Sequence, residues 1–266
     1  MRNVLVLVHE DDGQDSRMQA ALAVTRAVSG HLSCLDVFMV PVIMADPWTG
    51  YADTTVIKDA MEDDAAHRTK IEQKLAKEDV AWTMLKVTGD PADALREAAE
   101  LADLIVVTSH GSPDSVLGER AIVGAVVTKT GRPVLAVPPS YNSFDVTGRA
   151  LIAWDGSHEA NQAIRAATPL LALAEEVTVL IVNEAQGEFS AEEAGTYLSR
   201  HGIVPRIIAR DTADPIAKTI LEQARLGDAS YIVMGAFGSS RMVEAVFGGV
   251  TRSIITESPI PVLLAH

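Results

Sequence analysis

One feature of the sequence decides most about its fold: the order of segments in the first half returns in the second. Ala150 to Ser157 answers Val4 to Asp11, and Val177 to Asn183 answers Leu32 to Val40. Asp214-Pro215 with a helical stretch to Leu226 answers Asp90-Pro91 with its stretch to Leu101. Asp228 to Gly238 answers Asp103 to Gly111, and Pro261 to His266 answers Pro133 to Pro138. A chain that repeats one order of elements folds as two copies of one unit.

The unit itself is α/β. Asn3 to Val8 and Leu104 to Thr108 are continuous apolar runs rich in β-branched residues, with no polar alternation, which is how strands covered on both faces by helices read. Leu32 to Val40, Ala81 to Val87 and the closing segment Arg132 to Pro138 supply three further strands. Between them, helical spacing runs from a cap at Asp15 or Ser16 to Val28 with Gly30 as the stop, over Lys58 to Asp79, from Asp90-Pro91 to Leu101, and from about Ser115 to Thr130. Pro41 to Thr55 reads as loop and Tyr141 to Gly148 as linker. The expected fold is two tandem copies of an open, mostly parallel five-stranded sheet with helices on both faces, in domains 1–140 and 147–266. Each closing strand would end its sheet at an exposed edge, so the two are expected to pair within the chain as a pseudo-dimer. Further pairing into a homodimer is left open.

Charge and cysteine content narrow the partners. The chain has 22 Lys+Arg against 36 Asp+Glu, a net charge of −14, which repels nucleic acid and anionic membrane surfaces. No apolar run approaches the roughly 20 residues of a membrane span, and the first residues lack a cleavable leader, so a cytosolic protein is expected. Cys34 is the only cysteine; it reads as a small buried apolar residue, and an intrachain disulfide is impossible. The histidines show neither H-x3-H nor HExxH spacing, so no tightly bound metal is expected. Glu10-Asp11-Asp12 has the look of a metal-holding turn in a phospho-acceptor receiver, but the aspartate and lysine such a site needs after later strands are missing, and a solvated acidic turn is the plainer reading.

The chemistry-bearing stretch is Tyr231-Ile-Val-Met-Gly235-Ala-Phe-Gly238, followed after nine residues by Gly248-Gly249-Val250. A strand ends in a glycine, a loop opens with another, and a glycine pair precedes a segment, Val250 to Glu257, that can be helical. Glycines let backbone N–H groups approach an anion closely, and a helix N-terminus adds unpaired donors and positive dipole. The spacing is neither the P-loop nor the dinucleotide fingerprint. Turn and C-cap glycines are the alternative reading of the same residues.

The spacing resembles the nucleotide loop of the universal stress protein family, G-x2-G-x9-G-[ST], at Gly235, Gly238 and Gly248. Gly249 departs from it, standing where the nucleotide binders carry Ser or Thr. The resemblance extends over almost the whole chain, and tandem copies are familiar in that family. It implies a nucleotide-binding module acting in stress response or regulation, with ATP, ADP or AMP as ligand, with or without Mg, and slow ATP hydrolysis at most. No nucleophile with a base is found in the sequence. In an open α/β sheet the ligand sits beyond the carboxyl ends of the strands at a switch point. The family's binders place an Asp at the end of strand one and a backbone contact at the end of strand two, positions matched by Asp155 and Val182. The expected site is therefore Ala153, Asp155, Val182, Met234, Gly235, Gly238, Gly248, Gly249 and Val250. Thr251 and Ser253 are candidate substitutes for the missing hydroxyl but read more simply as first-turn helix residues, while Arg252 reads equally as a phosphate neighbour and as an exposed helix cation.

The first copy alters every part: His9 for Asp155, Ser109 for Gly235, Ser112-Pro113 after Gly111, and Arg120-Ala121 for Gly248-Gly249. It is expected to be a structural copy without nucleotide. An interaction protein whose loop is a relic in both copies is the competing function.

Overall fold

A computed structural model describes residues 1–41, 55–111, 119–141, 143–183, 189–236, 238 and 249–266. In chain order its first half runs β1 Asn3–Val8, α1 Gln14–Ala27, β2 His31–Phe38, α2 Thr55–Leu75, β3 Ala81–Thr88, α3 Pro91–Ala98 with a 3-10 turn Ala99–Leu101, β4 Leu104–Thr108, α4 Glu119–Thr130 and β5 Val134–Val137. The second runs β6 Arg149–Ala153, α5 His158–Leu171, β7 Val177–Val182, α6 Ala191–Arg200, β8 Arg206–Arg210, α7 Ile216–Leu226, β9 Ala229–Gly235, α8 Gly249–Glu257 and β10 Val262–Ala265. The expected loop 41–55 falls almost wholly outside the described residues, as does the first part of the helix expected from Ser115.

The strands lie in the order β3-β2-β1-β4-β5-β10-β9-β6-β7-β8. Each half is parallel, and the halves meet where β5 and β10 pair antiparallel, Leu135 opposite Leu263. The expected edge-to-edge pairing of the closing strands is thus present, and it makes one ten-stranded sheet. Alternate residues of each strand feed two cores. Val4, Val6 and Val8 lie with α1, α2, α5 and α6 on one face, and Leu5 and Leu7 with α3, α4, α7 and α8 on the other. Cys34 is buried in the first core, and burial pushes its thiol up to about 12, so it is an inert apolar filler.

Local chemistry fixes the element ends. Asp90 caps α3 as expected, its Oδ1 accepting from the N–H groups of Ala92 and Asp93 with Pro91 in the first turn. The start of α1 departs from expectation. Neither Asp15 nor Ser16 caps it, because Asp11 has turned the chain earlier: its Oδ1 accepts from Gly13 N–H at 2.7 Å, and Gly13 occupies the cap position. The matching of Asp228 with Asp103 also shifts. Ser230 is the extra residue of a bulge, since Arg149 pairs with Ala229 but Ala150 with Tyr231. Among the described residues no helix is long and apolar enough to cross a membrane.

Candidate functional site

In each half the strand order reverses at the first and fourth strands, β1/β4 and β6/β9, and the crevice for a ligand opens beyond the carboxyl ends there. In the second half this brings together Ala153, Val182, Met234 and Gly235. Ala153 pairs with Leu180 of β7 and with Met234 of β9, and Val182 ends β7. Ala153, Val182 and Val250 are partly buried against the core of the α7–α8 face, whereas Met234 is fully buried. Past Val182 the chain turns sharply. Asn183 adopts φ 61, a conformation Asn tolerates better than most residues. It is held there by its N–H donating to Arg210 O at 2.7 Å and its Oδ1 accepting from Thr212 N–H at 2.8 Å.

Asp155 is exposed at the end of β6. Its Oδ1 accepts from Ser157 N–H at 3.0 Å, an Asx-turn that passes the chain into α5, where Ser157 Oγ accepts from Ala160 N–H as the cap. The carboxylate is thereby oriented at the crevice mouth. Trp154 beside it is buried, its indole N–H donating to Asn161 Oδ1.

Gly235 has a packing reason. A Cβ there would lie 2.5 Å from Ala160 N and 2.6 Å from Glu159 C, so a bare strand end lets the first turn of α5 press against it. Gly249, the first residue of α8, has nothing among the described residues within 4 Å of where its Cβ would be and needs no unusual φ. Gly238 is exposed. Its Cβ would sit 3.6 Å from Glu159 Oε2, in ordinary contact. Gly248 lies outside the described residues. Of the phosphate neighbours considered, Thr251 is buried in the core and unable to reach a ligand, while Arg252 is exposed.

The first half is built differently at the same place. Thr108 pairs with Val137 as Gly235 pairs with Ala265, and Ser109 N–H donates to Val137 O as Ala236 N–H donates to Ala265 O. Thr108, not Ser109, therefore stands where Gly235 does, and Gly111 answers Gly238. The glycine has changed sides. Gly13, in the position of Glu159, is the residue whose Cβ would collide, 2.5 Å from Thr108 Oγ1.

Beyond these strand ends lies Arg17 of α1, 1% exposed. Its Nε donates to Leu7 O at 2.7 Å and its terminal nitrogens to His9 O, Gln14 Oε1, Thr108 Oγ1 and both oxygens of Asp11. Asp11 is thus the counter-ion of a buried arginine, not part of a free acidic turn. Ser112-Pro113 and the side chain of Arg120 lie outside the described residues.

Sequence reasoning missed Arg17 and Glu159. Both sit on the first turns of helices where charged residues are ordinary, and only a cationic residue six positions after an acid could have hinted at the first pair.

The pattern that defines the Universal stress protein family matches residues 1–138 and 183–266. The chain belongs to the universal stress protein family. Among solved structures, a universal stress protein from Archaeoglobus fulgidus DSM 4304 superposes with a TM-score of 0.76 at 18% identity, over 99% of this chain and 95% of that one. A functionally unknown protein from Pseudomonas aeruginosa PAO1 superposes with a TM-score of 0.63 at 18% identity, over 100% of this chain and 92% of that one. At such identities these likenesses concern the fold. No curated protein matches the chain closely enough to count as a relative. The family match passes over 139–182, the stretch that holds β6, α5 and β7 in this universal stress protein. Asp155, Val182 and Glu159 therefore rest on their places in the sheet.

Proposed function

We propose that the second half of this universal stress protein binds an adenine nucleotide and that the first half does not, the chain acting as a regulatory module instead of a dedicated enzyme. The nucleoside would lie between the ends of β6 and β7, with Asp155 accepting from its hydroxyl or amino donors, and the phosphates would reach toward Gly238 and the start of α8. The observation that carries this reading is the contrast between the two crevices: open space at Gly249 in one, a fully bonded Arg17 in the other. A guanidinium whose donors are already taken by β1 carbonyls and Asp11 has none left for an incoming phosphate. Mg bound with the nucleotide would supply charge neutralisation to its phosphates, with Asp155 the exposed carboxylate at the end of β6.

The test is calorimetric titration with ATP, ADP and AMP of the unaltered chain and of Gly249→Leu and Gly249→Ser. The first variant places a side chain in empty space, so the fold should hold while affinity falls at least tenfold. The second restores the hydroxyl that the family's loop carries and should tighten binding severalfold, as one added hydrogen bond to a charged acceptor does. Unchanged affinity in both would remove the site from this place.

A second reading, an interaction protein with no nucleotide, is favoured by one observation: Glu159 turns a carboxylate toward Gly238. Absence of ATP retention at high micromolar concentration would select it.

A further inference from the structure

Glu159 is a residue of the crevice to which the nucleotide reading gives no contact with the nucleoside or the phosphates. It is 7% exposed, in the first turn of a 14-residue helix, and its Oε2 lies 3.6 Å from where a Cβ on Gly238 would be. Among the described residues its carboxylate has neither hydrogen-bond nor ion-pair partner. An acid in a first helical turn is favoured by the helix dipole, but that role is met at the surface. A carboxylate on a largely buried residue, aimed at a glycine and with no protein partner among the described residues, is placed to take a ligand that arrives there.

Resting on the nucleotide-binding reading above, we propose that Glu159 makes the crevice selective for nucleoside phosphates carrying a divalent cation, which it ligates. A bare polyphosphate brought to Gly238 would meet a like charge at near contact, in a setting too sheltered for water to screen it fully. A magnesium ion turns the same carboxylate from an obstacle into a ligand, since such ions are held by one or two carboxylates together with substrate phosphates. Among the described residues no three of His, Cys, Asp and Glu are grouped as a cage, and the phosphates would supply the ion's other ligands. The first half, with Gly13 in the position of Glu159, offers no such carboxylate.

The experiment measures affinity for ATP with excess Mg²⁺ and for ATP with EDTA, using the whole chain and Glu159→Gln, with thermal melts of both to establish that the variant is folded. Glu159→Ala serves as a second variant. The unaltered chain should bind the magnesium form at least tenfold more tightly. In Glu159→Gln the gap should narrow to about threefold or less, mainly through tighter binding of metal-free ATP. With Mn²⁺ in place of Mg²⁺, the electron paramagnetic resonance spectrum of bound Mn-ATP should change between the two proteins. Equal affinity for both forms in the unaltered chain, or an unaltered ratio in both variants, overturns the role of Glu159 while leaving nucleotide binding in place. If neither form binds any of the three proteins, both are overturned.

Discussion

Arg17 ties together groups from separate elements: Leu7 O of β1 and His9 O just past it, the Thr108 hydroxyl at the end of β4 and the Asp11 carboxylate. Removing it withdraws the charge partner of a carboxylate with 12% side-chain exposure and one donor each from Leu7 O and His9 O. Arg17→Met should therefore destabilise the chain by about 3 kcal/mol, the range for a buried pair broken from one side. The double variant Arg17→Met with Asp11→Asn should recover part of that loss, read from chemical denaturation midpoints. At this scale the sequence was least legible. The strand-end places of Ala153, Val182 and Gly235 could be counted along the strands, because strand ends in a parallel sheet carry their residues to predictable points. Glu159 and Arg17 could not, since nothing in a first-turn charge tells whether it faces water or a crevice.

Among the elements, α2 is held by charge as well as by apolar packing. Only Ile71 and Leu75 of its side chains are buried, and Arg68 joins it to β2 through Asp36 at 2.6 Å, with Asp64 as a second partner. Burial raises the pKa of Asp36, which its hydrogen bond with Arg68 lowers only in part. The folded state then holds more protons than the unfolded state above the ordinary value of 3.8. The contribution of this carboxyl is most favourable below that value and declines as the pH rises through the folded pKa. Arg68→Met removes the lowering influence, so the decline should continue to higher pH, and denaturation curves between pH 4 and 8 should show the variant losing more stability than the unaltered chain at the upper end. The strands were the most readable elements, because continuous apolar runs have few alternatives. Helix starts were less so: the α1 boundary depends on an Asp11 side chain folding back on Gly13, a tertiary choice tied to Arg17.

At the scale of the molecule, the repeat predicted the architecture and the pairing of the closing strands completed it. Both sheets are sealed at one edge by β5 and β10, while β3 and β8 form the outer edges and carry exposed charged residues, Lys86, Arg206 and Arg210 among them, which discourages pairing with another chain. Leu263→Asp would put a charge where the seam meets Leu135, both fully buried. It should cost at least about 3 kcal/mol, and limited proteolysis should then cut first within 139–148, between the halves. The seam has one more consequence. Because β5 and β10 run in opposite directions, the carboxyl ends of β1 and β4 emerge on one long side of the slab and those of β6 and β9 on the other. The protein is a bar whose two crevices open on opposite flanks, so whatever docks along a single flank meets the Arg17 end or the Gly238 end, and never both together.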